Sequence, residues 1–235
     1  MINVGTSLAT SREAVVLAEK HQNGVYAIVG LHPADDADEL AAFDAEAYRA
    51  LAAHPKVVGI GECGLDYFRL PEDAAERSRV IERQKEAFLA QIALANECGK
   101  SLMLHVRASA KSSDAYQDAI AMLKELAKVK GNSHFFAGTV DDARGFLDIG
   151  YTMSFTGVIT FAREYAELVE YVPLDMMHAE TDCPLVAPMP HRGKRNEPSY
   201  ITEVVDKIAR IKKRPREEVE QALLANARRL WGIQL

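Results

Sequence analysis

Short apolar segments alternate with amphipathic segments along the whole chain. Seven apolar runs of strand length, rich in Val, Ile, Phe and Met, cover residues 2–4, 25–31, 57–61, 102–106, 133–136, 151–155 and 176–180. Because these runs are almost continuously apolar, they are typical of parallel strands that are covered on both faces. The pattern therefore predicts a largely parallel sheet.

The stretches between these runs have helical spacing. Apolar residues recur every three to four positions in residues 11–21, 75–98, 113–129, 141–148, 161–171, 198–211 and 216–230. Alternating strands and helices predict right-handed βαβ crossovers. A closed barrel of this kind needs eight strands, whereas the pattern gives seven and the chain opens directly in the first. We predict an α/β fold, a TIM-type (β/α)8 barrel that lacks its first βα unit, as one domain over residues 1–235.

Composition places the chain among ordinary globular proteins. It has 235 residues, of which 48% are hydrophobic and 26% charged, and this excludes disordered and collagen-like classes. It contains no apolar run of spanning length, and its first residues do not resemble a secretion signal. The three cysteines, Cys63, Cys98 and Cys183, form no CxxC pair, which favours reduced thiols. We expect a cytoplasmic protein without a membrane partner.

Charge is distributed unevenly along the sequence. The net charge is −6, yet residues 191–235 hold 11 Lys and Arg against 6 Asp and Glu. Such asymmetry is compatible with a phosphate contact on an acidic body. A solvated basic helix face explains it as well, so both interpretations stay open.

Four strand ends carry side chains that bind transition metals. Glu62 follows the run 57–61, His105 and His134 lie in the next two runs, and Asp182 follows the run 176–180. In a parallel barrel, such positions open on one mouth. Imidazole and carboxylate together suit Zn²⁺, Mn²⁺ or Fe²⁺ rather than Ca²⁺. Each residue alone also has a structural explanation, such as a core histidine or a turn, but four at matching positions predict a metal site.

Several motifs resemble those of one known family. The stretch GECGLDYF at 61–68 resembles the Gly-Glu-Ile-Gly-Leu-Asp-Tyr motif of the TatD-like metal-dependent hydrolases. Further similar stretches are GLHP at 30–33, LMLHVR at 102–107, SHFFAG at 133–138, ETDCPLVAPMPHRGKRNEP at 180–198 and NARRLWG at 226–232. The resemblance covers the whole chain. It implies an amidohydrolase-type (β/α)8 barrel, with DNase activity in several members.

The resemblance also implies a ligand set. Glu62 would bridge two divalent ions (Mg, Mn or Zn), and His105 and His134 would bind the second. Asp182 would bind the first and take the proton of the attacking water, so that Glu62 and Asp182 are the expected catalytic residues. The family's first strand carries a His-x-His pair for the first metal, and this chain has no such pair. We therefore expect one or two bound ions, impaired catalysis and a sequence shortened at its start.

Basic residues near these motifs are candidates for phosphate binding. They are His32, Arg107, Arg192 and Lys194, although a loop histidine or a surface ion pair would explain the first two equally well. The leading hypothesis is a metal-dependent phosphodiesterase that acts on the ends of single-stranded DNA and needs no obligate protein partner. One alternative is hydrolysis of a small ester, amide or aminoacyl-tRNA at the same site. Another is a catalytically impaired barrel that only binds a partner.

Overall fold

The computed structural model describes residues 1–34, 40 and 42–234. The prediction of seven strands is confirmed within these residues. The strands are β1 (Ile2–Val4), β2 (Tyr26–Val29), β3 (Val57–Asp66), β4 (Ser101–Arg107), β5 (Gly131–Ser133), β6 (Thr152–Phe155) and β7 (Met177–Ala179).

Helices follow the strands along the chain. Those described over their whole length are α1 (Leu8–Glu19), α2 (Ala45–Ala52), α3 (Ala74–Cys98), α4 (Asp114–Leu126), α5 (Val140–Asp148), α6 (Tyr165–Tyr171), α7 (Ile201–Lys212) and α8 (Arg216–Trp231). Short 3₁₀ turns cover Gly157–Thr160, Leu174–Met176 and Pro198–Tyr200. This strand–helix order confirms the α/β class.

The contacts within the chain group into two compact units. The first contains residues 1–132 together with the segment from Trp231 onward, and the second contains Ser133–Leu230, so the boundary falls inside β5. In the first unit, β1 pairs with β2, β2 with β3, and β3 with β4, all in parallel. In the second unit, β6 and β7 are also parallel. The expectation that residues 1–235 form one domain stays a prediction.

The core of the first unit lies between the strands and α3. Phe88, Ile92 and Ala95, which lie three to four positions apart in this helix, are all buried. Ile60 of β3 and Leu104 of β4 are also fully buried. The helix begins after Asp73, whose carboxylate accepts from the Glu76 N–H, and it ends at Gly99 with a left-handed φ of 63°. Helix α3 is therefore fixed at both ends and along one face.

The core of the second unit is aromatic. Phe146 makes an edge contact with Phe136 at 6.1 Å and a tilted contact with Tyr151 at 6.3 Å between ring centroids. Helix α5 begins with a capping box in which Thr139 and Asp142 exchange hydrogen bonds. These contacts hold the residues on both sides of α5 in place.

Several predicted strand boundaries were wrong, and those of β3, β4 and β5 affect the site. Strand β3 continues beyond residue 61 to Asp66, because Cys63 and Leu65 keep one face apolar after the polar Glu62. Strand β4 reaches Arg107 and β5 ends at Ser133. Glu62 and His105 therefore lie inside strands rather than at their ends, whereas His134 follows its strand.

The helices differ from the prediction in several places, and the two largest differences concern α2 and α6. Helix α2 was not predicted, although Tyr48 and Ala52 are buried one turn apart and the Asp44 side chain caps the helix by accepting from the Ala47 N–H. The predicted helix 161–171 begins only at Tyr165, since a 3₁₀ turn and loop follow β6. Within the described residues, no helix has the combined length and apolarity needed to cross a membrane.

Candidate metal centre

The register of two strands assembles the centre of the site. In the parallel pairing of β3 and β4, Gly64 lies beside His105. Residues two apart on a strand point to the same side, so Glu62 and Asp66 flank Gly64 on the side where they can reach the histidine. The sequence spacing Glu-x-Gly-x-Asp thus places one carboxylate on either side of one imidazole.

The imidazole of His105 contacts both carboxylates. Its Nδ1 lies 3.0 Å from Glu62 Oε1, and its Nε2 lies 3.0 Å from Asp66 Oδ2. Burial acts to raise the pKa of Asp66, but hydrogen bonds from His105 and from the Phe68 N–H outweigh burial and leave this pKa below its usual value. Asp66 is therefore an anion that accepts the Nε2 proton of His105.

His32 approaches the same glutamate from the loop after β2. Its Nε2 lies 3.3 Å from Glu62 Oε1, and its ring centroid lies 4.3 Å from that of His105. Its Nδ1 accepts a hydrogen bond of 3.1 Å from the Ala34 N–H. With Nδ1 acting as an acceptor, the neutral ring carries its proton on Nε2, which is the nitrogen that faces Glu62.

The residues present fit a divalent metal ion. One ligand atom from each of His32, Glu62 and His105 lies within 4.8 Å of the other two. Imidazole nitrogen and carboxylate oxygen suit Zn²⁺, Mn²⁺ or Fe²⁺, so His105 Nδ1 and Glu62 Oε1 fit as ligands. The protonated Nε2 of His32 is instead a hydrogen-bond donor towards Glu62. Asp66 supplies the outer carboxylate that metal-binding histidines commonly require, since it accepts the Nε2 proton and leaves Nδ1 on the side of Glu62. The sequence analysis predicted Glu62 and His105 as ligands, and the structure brings these two together.

Two buried glutamines of α3 position the backbone around this cluster. Gln91 accepts from the Leu31 N–H at 2.8 Å and donates to the Leu31 carbonyl at 3.0 Å. Gln84 makes the same pair of bonds with the backbone of Asp66, at 2.8 and 2.9 Å. The two glutamines are seven residues apart and so lie on one helix face. Helix α3 thereby fixes the residue before His32 and the carboxylate that orients His105.

Close approach of the two strands requires glycine at position 64. Its φ is 139°, and a Cβ added there would lie 2.1 Å from the His105 carbonyl oxygen. Any side chain would push β3 away from His105 and separate the carboxylates from the imidazole. The small residue between the two acids is therefore part of the site's geometry.

His134, a predicted ligand, belongs to the second unit. It follows β5 and is almost buried, with Nδ1 3.4 Å from Glu180 Oε1. The same carboxylate oxygen accepts the Phe135 N–H at 2.6 Å. Glu180 thus fixes both the imidazole and the backbone next to it. The role of His134 as a metal ligand stays a prediction.

Asp182 lies in the loop after β7 and has a positive φ of 54°. The buried Asn196 holds this loop, because its side-chain amide donates to the carbonyl oxygens of Thr181 and Leu185, both at 2.7 Å. Asp182 is thereby kept in a backbone conformation that non-glycine residues seldom adopt. Its role as a ligand and proton acceptor stays a prediction.

Besides His32, the residues predicted to bind phosphate are Arg107, Arg192 and Lys194, which lie on a strand and in a loop. Arg107 ends β4 and places its guanidinium 3.8 Å from the centroid of the exposed Phe68 ring. Arg192 stacks in the same way on Phe161, at 4.1 Å. Lys194 is exposed in the loop that follows Asp182. Both arginines are therefore held by an aromatic ring while their N–H groups stay available.

Some residues of the site were missed at the sequence level. Asp66 was inside the quoted motif but was not singled out, although its spacing of four from Glu62 was a usable signal once both are on one strand. Gln84 and Gln91 gave no signal, because their partners are backbone atoms 18 and 60 residues away. His32 was considered only as a contact for phosphate, whereas the structure also brings it beside Glu62.

The strand–helix order and the imidazole–carboxylate cluster define an α/β metal-dependent hydrolase. The family model described as TatD related DNase matches residues 1–232. The chain therefore belongs to this family, as the motifs of the sequence indicated.

Named relatives and a solved structure agree with this assignment. YabD of Bacillus subtilis (strain 168), described as an uncharacterized metal-dependent hydrolase, is 38% identical over 99% of this chain and 87% of its own length. The 3'-5' ssDNA/RNA exonuclease TatD of Klebsiella pneumoniae (strain 342) is 33% identical over 100% of this chain and 87% of its own. The crystal structure of YJJV, a TatD homolog from Escherichia coli K12, has a TM-score of 0.84 and 27% identity, covering 99% and 86% of the two chains. The likeness confirms the TIM-type fold class.

Proposed function

We propose that this metal-dependent hydrolase cleaves phosphodiester bonds at the ends of single-stranded DNA. The observation that carries the proposal is Glu62, whose Oε1 lies 3.0 Å from His105 and 3.3 Å from His32. Support for the substrate class comes from relatives named 3'-5' ssDNA/RNA exonuclease, among them the Klebsiella protein. The stacked cations Arg107 and Arg192 suit a polyanionic substrate.

Glu62 and His105 would hold the metal ion, with Asp66 keeping the His105 ring in its orientation. His134 and Asp182 are the further ligands that the family resemblance implies. When bound, a divalent cation supplies Lewis acidity, which promotes the ionisation of water and offsets negative charge on the phosphate. The donor set of this chain, nitrogen and carboxylate oxygen, is the one that such chemistry uses.

The remaining residues would bind the substrate and accept the proton of the attacking water. The Nε2–H of His32 is held towards the cluster by the hydrogen bond at Nδ1, so it can donate to a non-bridging phosphate oxygen. Arg107, Arg192 and Lys194 would add positive charge along the phosphate chain. Asp182 would accept the proton of the attacking water, as a general base.

Cleavage of two substrates tests the proposal. The wild-type chain, Glu62→Gln and the control Glu125→Gln, an exposed glutamate of α4, are assayed with Mn²⁺ on an end-labelled single-stranded oligonucleotide and on a small carboxylic ester. We expect stepwise shortening of the oligonucleotide by the wild type and the control, and a loss of about 100-fold or more in Glu62→Gln.

Two results would contradict the proposal. Cleavage of the ester without cleavage of the oligonucleotide would favour the small-ester alternative. Oligonucleotide shortening that is equal in Glu62→Gln and the wild type would mean that the cluster is not the site. Circular dichroism of each variant establishes that it is folded.

A further inference from the structure

A groove of about 650 Å³ opens in the second unit. It lies among the 3₁₀ turn and loop after β6, the segment near Met189, and α7. Its apolar lining includes Ile159, Phe161, Ala166 and Met189, and its charged lining is Arg163, Arg192 and Lys207. None of the described residues that line it is acidic. The groove therefore combines an apolar surface with three positive charges.

Contacts within the unit hold the walls of the groove in position. The Met189 N–H donates to Thr160 Oγ1 at 2.9 Å, which joins the loop that carries Arg192 to the 3₁₀ turn. The Thr160 hydroxyl in turn donates to the Gly157 carbonyl at 2.6 Å. Arg192 packs its guanidinium on Phe161. The groove is thus bordered by hydrogen-bonded backbone and an ordered arginine.

The size and chemistry of the groove restrict its occupant. Its volume lies within the range of roughly 300–1,000 Å³ that is usual for ligand sites. A ligand that matches both linings has flat apolar groups and repeated negative charges. Single-stranded nucleic acid has this combination, because its bases present apolar faces and its backbone carries one charge per phosphate.

We propose that this groove binds a segment of single-stranded nucleic acid, with Arg163, Arg192 and Lys207 on its backbone phosphates. The substrate class rests on the proposed function, and the groove adds Arg163 and Lys207, to which neither the motifs nor the metal centre assign a role. The apolar lining near Ile159 and Ala166 accommodates a base. Binding here depends on charge and contact area, and it does not require the metal ion.

Binding without metal separates this proposal from catalysis. Fluorescence anisotropy follows a labelled 12-residue oligothymidylate in the presence of chelator, with wild type, Arg163→Gln, Lys207→Gln and the double variant. Lys124→Gln on α4 and Arg228→Gln on α8 are matched controls, since both replace exposed cations outside the groove.

The expected effects follow from counterion release. Each phosphate contact on a single strand contributes about 0.7 to the slope of log Kd against log salt, which corresponds to about fivefold in Kd at 0.1 M salt. We expect Kd to rise about fivefold in each groove variant and about 25-fold in the double variant, with the salt slope falling by about 0.7 and 1.4. The controls should retain the wild-type Kd and slope.

Two outcomes would overturn the proposal. Groove variants that match the controls would mean that the strand does not contact this groove. Complete displacement of the oligonucleotide by millimolar inorganic phosphate would assign the groove to a small phosphate ligand instead.

A small chromogenic phosphodiester, assayed with Mn²⁺, completes the design. Its turnover should be equal in the wild type and in the controls Lys124→Gln and Arg228→Gln, and circular dichroism of the double variant that differs from the wild type would show a general structural effect. If the groove variants weaken binding while no phosphodiester is cleaved, the proposed function is wrong, but the proposal that the groove binds single-stranded nucleic acid is supported.

Discussion

Replacing Gln91 with methionine isolates the contribution of α3 to the metal centre. Methionine keeps the length and approximate volume of the side chain, but it removes both hydrogen bonds to Leu31. Gln91 is 1% exposed and Leu31 is 4% exposed, so water cannot readily replace the lost partner. The Leu31 N–H and carbonyl would then lose the side-chain partner that each has in the structure.

The magnitude follows from these two groups. Leaving a buried donor or acceptor unsatisfied costs about 1–3 kcal/mol, so the loss of both partners should lower the free energy of unfolding by about 2–6 kcal/mol. Leu31 directly precedes His32, and its displacement would move the imidazole relative to Glu62. Loss of an outer-shell support typically weakens metal binding by about 10–100-fold, and we expect a change of that order in the Kd for Mn²⁺.

Two measurements on purified protein check the prediction. Urea unfolding in chelator gives the free energy of unfolding, and calorimetric titration of the metal-free protein gives the Kd for Mn²⁺. Asn96→Leu is the matched control, because Asn96 also lies on α3 and also bonds backbone at both ends of its amide, to Leu126 and Lys128 at 2.8 and 2.7 Å. Its partners lie before β5, away from His32 in the chain.

The control should lose about 1 kcal/mol of stability and keep its affinity for Mn²⁺, since Asn96 is partly exposed. If Gln91→Met is destabilised while its Kd for Mn²⁺ stays at the wild-type value, α3 does not support the metal centre. If Asn96→Leu weakens Mn²⁺ binding as much as Gln91→Met does, the effect is a general one.

Three further outcomes are expected. Burial lowers the pKa of His178 to about 4, below its unfolded value near 6.5; its neutral form therefore adds stability above pH 6.5 that is lost as the pH falls towards 4, by about 3 kcal/mol. The free energy of unfolding of the wild type and of His178→Gln should be measured from pH 7 to pH 4, and the difference between the two proteins should shrink as the pH falls. A difference that stays constant with pH would disprove this prediction. Gly64→Ala should lower the free energy of unfolding by about 3 kcal/mol or more, because its Cβ would overlap the His105 carbonyl; thermal denaturation at the wild-type temperature would contradict this. Addition of Mn²⁺ at 100 times its Kd should raise the free energy of unfolding of the metal-free protein by about 2.7 kcal/mol, as measured by urea unfolding. Glu62→Gln should show little of this gain.

The hydrophobic pattern was sufficient to predict the fold class. Parallel strands buried on both faces need continuous apolar runs, and the seven runs correspond to β1 through β7. Helix α2 escaped prediction because its eight residues are fewer than the window of about 11–18 residues in which a helical period is recognised, even though Tyr48 and Ala52 form a buried face. Strand β3 was cut short at residue 61, because periodicity alone cannot show that a polar residue such as Glu62 continues a strand.

The candidate site was predictable where chemistry and position along a strand coincide. Glu62 and His105 are uncommon residues beside apolar runs, and parallel pairing of β3 with β4 brings them together. The role of Asp66 could not be predicted without the register of β3 and β4, which pairs Gly64 with His105 and so places an acid on each side of the ring. The stacking of Arg192 on Phe161 joins two loops across 31 positions in the sequence, and no local pattern encodes such a contact.

We propose that the cluster around Glu62 holds a divalent ion on which phosphodiester cleavage depends. The most direct measurement is the rate at which metal-free protein shortens an end-labelled single-stranded oligonucleotide as Mn²⁺ is added, for wild type and Glu62→Gln. We expect no cleavage without metal, a saturable rise in the wild type, and no rise in Glu62→Gln over the same range. A wild-type rate that is unaffected by chelation, or equal saturation curves for the two proteins, would contradict the account.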